Sequence, residues 1–331
     1  MYKDFYGLRE NPFGIAPDPR FLYLSEGHRE ALAHLIYGVS QRKGFILITG
    51  EVGAGKTTLI NAFLEKIPQE TIVALLSNPR LNRREFFTYL AQAFSLPRAP
   101  QDKSDFIFVF TEFLKEAFQS GKNVVLIVDE VQALPEGLFE EIRLLTNLET
   151  MRQKLINIIL VGQPELLKRL QKPHLYPLKQ RITYHYHLTA LKDPSEVESY
   201  IQARLARAGA ERLDLFTPEA VKRIYEVTRG VPRLINILCD HALLTGYLRE
   251  TRSIGLPIVE ECAQEIKIAI DNHSPTEEVS PPKTSRKSKG LMWGAIAVLA
   301  FILIAFSLIY YPTIQESLSS LWERLFPSGF P

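Results

Sequence analysis

The chain has 331 residues, enough for two domains and further segments, and its 39 Lys and Arg against 37 Asp and Glu leave a formal net charge of +2. Its 46% hydrophobic content excludes a disordered chain, and a near-neutral charge without a concentrated basic patch argues against a nucleic-acid partner. Cys239 and Cys262 sit in helical patterns without metal-ligand spacing and are expected as reduced core thiols in a cytosolic compartment. The N-terminus, Met1-Tyr2-Lys3-Asp4-Phe5, carries early charge and no apolar core, so no signal peptide is expected.

The first strand pattern, near 44–49, contains the apolar run Phe45-Ile46-Leu47-Ile48. It leads into Gly50-Glu51-Val52-Gly53-Ala54-Gly55-Lys56-Thr57, and a helical pattern begins at Thr58. This is a complete G-x-x-x-x-G-K-[ST] loop between a strand and a helix. Such a loop points backbone N–H groups at a pyrophosphate, and the helix N-terminus adds positive potential. Glycines let the backbone approach the anion without Cβ clashes. Lys56 is expected to reach the β- and γ-phosphates, and Thr57 to ligate Mg²⁺. Residues 50–58 are therefore the expected binding segment for ATP and Mg²⁺.

A second strand pattern, near 71–76, ends at Ser77-Asn78-Pro79, and Asn82 with Glu85 reads as a helix-capping pair. The third, near 123–129, is Val124-Val125-Leu126-Ile127-Val128 followed by Asp129-Glu130. An unbroken apolar run suggests a strand buried on both faces of a parallel sheet, with the acids at its C-terminal end, where open α/β sheets bind ligands. Asp129 would hold Mg²⁺ through its water shell, and Glu130 would orient and polarise the attacking water. That second acid favours hydrolysis over mere nucleotide binding. Asn78 either holds Glu130 away from water until a partner binds or belongs to a plain turn. The fourth strand, near 156–162, ends at Gln163. The fifth, near 182–188, alternates Tyr184 and Tyr186 with His185 and His187. Without an evident third ligand, the two histidines are read as strand-face residues. From about residue 191 the strands stop. Helix starts at Asp193-Pro194 and Thr217-Pro218 open three or four helices that run to about 271.

Five strands, a phosphate loop and a helical lid suggest an AAA+ ATPase: an α/β nucleotide-binding domain over 1–190 built on a five-stranded parallel sheet, with a lid over 191–270. That fold asks for three further residues. Gln163, at the end of the fourth strand, is the candidate sensor near the γ-phosphate. Arg181, just before the fifth strand, is the candidate finger that stabilises transition-state charge in an adjacent subunit, which implies a ring-like homo-oligomer. Arg233, in Gly230-Val231-Pro232-Arg233, is the candidate lid arginine.

Further segments sharpen the likeness: Phe21-Leu22-Tyr23-Leu24-Ser25 with His28, Leu144-Leu145-Thr146-Asn147-Leu148-Glu149-Thr150, Val161-Gly162-Gln163-Pro164-Glu165-Leu166, Gln180-Arg181-Ile182 and Pro232-Arg233-Leu234-Ile235-Asn236. With the phosphate loop they resemble the general secretion pathway protein A-type AAA+ ATPases over roughly residues 1 to 270. The resemblance implies an inner-membrane ATPase with a cytoplasmic motor domain, an N-terminal segment packed by the adenine, and an envelope secretion or export partner. The best-known members of that family end in a periplasmic peptidoglycan-binding domain.

Residues 271–290 read as a flexible basic linker, with Lys283, Arg286, Lys287 and Lys289. Residues 291–311 form a 21-residue run without a charge, bordered by Trp293 at one end and by Tyr310 and Tyr311 at the other. A helix of that length spans about 30 Å of hydrocarbon. The expectation is one transmembrane helix in the bacterial inner membrane, with the N-terminal ATPase domain cytoplasmic. Residues 312–331 are too few for a peptidoglycan-binding domain. Leu318, Leu321, Trp322, Leu325 and Phe326 fall on one helical face, an interfacial segment or a docking face for an extracytoplasmic partner. The expected function is assembly or remodelling of an envelope export complex by MgATP hydrolysis. The alternatives are an ATP-dependent oligomerisation switch with slow turnover and a transposition-type DNA-binding ATPase.

Overall fold

Four runs rich in β-branched and aliphatic residues become strands β1 (Phe45–Gly50), β2 (Ile72–Leu76), β3 (Val124–Val128) and β4 (Asn157–Gly162), and the alternating Tyr-His run becomes β5 (Tyr184–Leu188). The structure is a computed structural model that describes residues 1–16 and 18–273. The strands form one sheet in the order β2-β3-β4-β1-β5, and each neighbouring pair is parallel. Period-two alternation sends Phe45, Leu47, Leu126, Val128 and Leu160 to one face and Ile46, Ile48, Ile127 and Val161 to the other. Both faces are covered, which is why the central strands read as unbroken apolar runs. Edge strand β5 alternates instead, with Tyr184 and Tyr186 half-buried and His185 and His187 exposed.

The helices follow in chain order: α1 (Tyr2–Phe5), α2 (Glu26–Ser40), α3 (Lys56–Lys66), α4 (Arg83–Ala93), α5 (Lys103–Gln119), α6 (Glu136–Leu145), α7 (Glu165–Arg169), α8 (Tyr176–Lys179), α9 (Pro194–Arg207), α10 (Pro218–Thr228), α11 (Pro232–Leu248) and α12 (Leu256–His273). Helices α2 and α3 cover one sheet face through Leu35, Leu59 and Phe63. Helices α4, α5 and α6 cover the other through Phe86, Phe106, Phe110 and Phe139. The expected capping box is present: Asn82 Oδ1 accepts from the Glu85 N–H at 3.0 Å, and Glu85 Oε2 accepts from the Asn82 N–H at 2.8 Å. Asp193 and Thr217 likewise cap α9 and α10.

Helices α9 to α12 build a third apolar cluster, and the N-terminal segment is part of it. Tyr6, Phe13 and Phe21 pack with Tyr200, Leu205, Ile235 and Cys239. Both cysteines are buried and free, as expected. Residues Met1–Ile268 form one compact unit.

The expectation of a membrane-crossing helix, and with it a single-pass inner-membrane protein with a cytoplasmic N-terminal domain, is corrected. Among the described residues no helix is long and apolar enough to cross a membrane. The long described helices are amphipathic or interrupted by charge; α12 alone carries Glu260, Glu261 and Glu265. The expected span at 291–311 and the tail at 312–331 lie outside the described residues, as does most of the linker at 271–290.

Candidate active site

The sheet delivers three chain segments to its C-terminal edge: the loop after β1, the acids after β3, and Gln163 after β4, the strand between them. Within the loop, Gly53 has φ +80° and Gly55 has φ +94°, in the left-handed region that glycine adopts without strain. Space also requires glycine at both. A Cβ on Gly53 would stand 2.6 Å from Arg233 Cβ, and one on Gly55 would stand 2.8 Å from His28 Nε2.

Lys56 and Thr57 open α3. The Lys56 ammonium is buried and donates to the carbonyls of Gly50 at 2.8 Å and Glu51 at 2.9 Å. Burial pushes its pKa down, against the opposing charges of Glu130, Asp129, Glu51 and Glu165. The Thr57 hydroxyl donates to Asp129 Oδ2 at 3.1 Å, and the Glu130 N–H donates to Asp129 Oδ1 at 2.8 Å. Burial raises the Asp129 pKa, the Glu130 charge adds to that, and these two hydrogen bonds and Lys56 oppose it. Glu130 itself sits at φ +52°, an uncommon place for a residue with a side chain, of the kind found where function holds a backbone in place.

These groups face a cleft of about 420 Å³. Its floor includes Lys56, Thr57, Thr58, Glu130 and Gln163. Its opposite wall comes from far along the chain: Ile15, Phe21 and Tyr23 of the N-terminal segment, and Tyr200, Arg204 and Arg233 of the C-terminal helices. Arg204 holds that wall together. Its Nε donates to the Pro12 carbonyl at 2.5 Å, its Nη2 to the Gly14 carbonyl at 3.3 Å, and its Nη1 to Tyr200 Oη at 3.2 Å. Its guanidinium lies 5.0 Å from the Phe21 ring centroid. Arg233 reaches the loop through its backbone, whose N–H donates to the Gly53 carbonyl at 3.3 Å.

Residues 39–170 match the family described as AAA domain. Over 267 residues the chain is 43% identical to General secretion pathway protein A of Aeromonas hydrophila, a match covering 80% of this chain and 48% of that protein. These matches, with the phosphate loop they take in, indicate an ATPase. The chain spans about half the length of that relative. Its fold is shared by the Aeropyrum pernix ORC2 protein, solved as ADPNP–ADP complexes, at a TM-score of 0.57 and 18% identity, covering 77% of this chain and 71% of that one. It is shared too by CDC6P from Pyrobaculum aerophilum, at a TM-score of 0.54 and 15% identity, covering 76% and 71%.

The expected site residues of this ATPase divide in three. Gly50 to Thr58, Asp129, Glu130, Gln163 and Arg233 converge on the sheet edge and the cleft. Asn78 stands nearby, lining a shallower depression with Glu130, Gln132 and Gln163, while its Oδ1 accepts from the Arg80 N–H at 3.3 Å. Arg181 is held elsewhere, its Nη1 donating to Thr146 Oγ1 at 2.9 Å. His185 and His187 are strand-face residues: their rings share Thr49 Oγ1 at 2.8 and 3.0 Å, and among the described residues no three His, Cys, Asp or Glu form a metal-binding group.

Three residues in or beside the cleft went unassigned by sequence reasoning. His28 is buried, with Nδ1 2.7 Å from Ser25 Oγ, and burial lowers its pKa. Arg204 stands in an ordinary helical pattern. Gln132 follows the acids by two residues, and its short spacing from Glu130 was the one available signal.

Proposed function

We propose that this ATPase couples MgATP hydrolysis to the assembly or remodelling of a cell-envelope secretion or export complex, and that it works as a homo-oligomer. The secretion assignment is supported by likeness to General secretion pathway protein A over 80% of this chain. The observation that carries the chemistry is the meeting of the phosphate loop with Asp129 and Glu130: Thr57 Oγ1 lies 3.1 Å from Asp129 Oδ2, beside the buried Lys56.

In this reading Lys56 and the loop N–H groups bind the β- and γ-phosphates. Thr57 and Asp129 would hold Mg²⁺; two adjacent oxygen donors suit a hard cation that keeps most of its water. The bound ion would neutralise charge on the phosphate oxygens. Glu130 orients the attacking water and Gln163 senses the γ-phosphate; Asn78 stands near Glu130 but its Oδ1 accepts from the Arg80 N–H. Arg233, on the helical side, acts in cis as part of a lid spanning 191–270. Arg181 does not line its own cleft and would serve a neighbour's.

Glu130→Gln should retain ATP binding and lose turnover by about 10²–10³-fold, the size expected when a group aimed at the transition state is removed. ATP binding by the full chain and steady-state hydrolysis check this. Parental turnover would remove Glu130 from the water-activating role. In cells, the same variant should block release of secreted protein at unchanged chain levels. Unaltered release would remove the secretion assignment and leave the ATPase.

A further inference from the structure

Glu130 sits in the left-handed region, and its carboxylate is not left loose. Gln132 Nε2 donates a short hydrogen bond to Glu130 Oε2. The other end of the same amide is occupied too: Gln132 Oε1 accepts from the Gln163 N–H at 3.1 Å. One planar side chain therefore ties the acid after β3 to the first residue beyond β4. The space for it is reserved by Gly162, where a Cβ would lie 3.1 Å from Gln132 Oε1.

The backbone of this turn is also pinned. The carbonyls of Gln132 and Leu134 accept from Arg169 Nη1 at 2.7 Å and Nη2 at 3.0 Å. The Arg169 guanidinium in turn lies over the buried Phe139 ring, 4.9 Å from its centroid. A bidentate arginine on two carbonyls of a short turn leaves Gln132 little freedom to leave its place. Asn78, by contrast, uses its own Oδ1 within its turn.

We propose that Gln132 is a positioning residue for ATP hydrolysis. It fixes the Glu130 carboxylate by one oxygen, leaves the second oxygen for the attacking water, and couples that geometry to the Gln163 backbone at the end of β4. The assignment rests on Glu130 serving the water. A charged acceptor bonded by an amide N–H loses rotamer freedom without losing its charge, and misplacing a reacting group by about 1 Å costs on the order of 10²-fold in rate.

Two variants of the full chain separate the two ends of the amide. Gln132→Ala removes both bonds and should lower kcat by about 10- to 100-fold with KM for ATP changed less than about threefold. Gln132→Glu is isosteric. It keeps an acceptor for the Gln163 N–H but sets a carboxylate against Glu130. Two facing carboxylates favour sharing one proton, so kcat of this variant should be low at pH 8 and rise on acidification toward pH 6, while the parent shows no such acid-side gain. A group that only fills space would not produce that pH profile. Thermal melting and ATP binding of both variants establish that they are folded. Parental kcat for Gln132→Ala, or a parental pH profile for Gln132→Glu, overturns the proposal. Glu130→Gln measured alongside distinguishes the failures: if it turns over normally, the role of Glu130 fails first; if it is inactive while the Gln132 variants are normal, only Gln132 is reassigned.

Discussion

The two sides of the cleft are made in opposite ways. The floor comes from three short segments held in register by one parallel sheet, and its polar groups bond mainly to one another: Lys56 to its own loop, Thr57 to Asp129, Asp129 to Glu130. The wall facing it joins residues near the N-terminus to helices about two hundred positions later, through Arg204 on Pro12 and Gly14 and through Phe21 in the helical cluster. A floor fixed by a sheet holds reacting groups still. The wall depends instead on contacts between segments far apart in the chain.

The largest effect tests whether the floor and the wall together suffice. Arg181 belongs to neither, because it bonds to Thr146 away from the cleft. If it completes a neighbour's site, Arg181→Ala should keep ATP binding and lose turnover by about 10³-fold or more, the usual worth of an arginine finger. Mixing it with Lys56→Ala chains should recover part of the activity, since one interface then holds an intact loop and an intact finger. No recovery in verified mixed oligomers would return catalysis to the single-chain cleft.

The same division explains what the sequence disclosed. The floor was legible because its chemistry is local. The glycines, Lys56 and Thr57 are contiguous, and the burial of β3 on both faces writes itself as Val124 to Val128 before Asp129. Strands β1, β2 and β4 were legible by similar apolar runs, and the edge strand β5 by its alternation of tyrosine and histidine. The wall was not, because Arg204 lies on an amphipathic helix and its partners, the Pro12 and Gly14 carbonyls, carry no sequence signature. Only the family likeness pointed to an N-terminal segment beside the nucleotide. Gln132 was missed because its meaning depends on Gln163, 31 positions away, which only the strand order brings beside it.

A smaller effect sharpens the contrast from the wall side. Arg204→Lys keeps a charge but loses the planar fork that serves Pro12, Gly14 and Tyr200 together. If the wall binds and the floor reacts, KM for ATP should rise about tenfold while kcat changes less than about twofold, the pattern of lost uniform binding. Steady-state kinetics decide it. A fall in kcat at unchanged KM would mean that the wall sets the geometry of the floor.

The smallest effect asks whether the floor is built for stability at all. Asp129 is buried beside Glu130, and its folded pKa lies above its ordinary 3.8, chiefly through burial. A carboxyl raised in this way binds more protons folded than unfolded between the two values, so its contribution is favourable below 3.8 and is lost as pH rises through the folded pKa. At neutral pH the ionised Asp129 is therefore a cost to the nucleotide-free chain. Asp129→Asn removes the charge and keeps the shape. The Glu130 N–H keeps an oxygen acceptor, and the rotatable Thr57 hydroxyl accepts from the new amide. The variant should be more stable by about 1 kcal/mol at pH 7.5, a rise in Tm of about 2–4 °C, measured without nucleotide or Mg²⁺. That advantage should shrink as pH is lowered and the parent carboxyl takes up its proton. With MgATP present the order should reverse, because only the parent keeps the carboxylate expected to hold the ion, and ligand binding then stabilises it selectively. A destabilised Asp129→Asn chain at pH 7.5 would show that the Asp129 charge supports the folded floor, and an advantage that persists unchanged at pH 4 would show that the buried charge is not what costs stability.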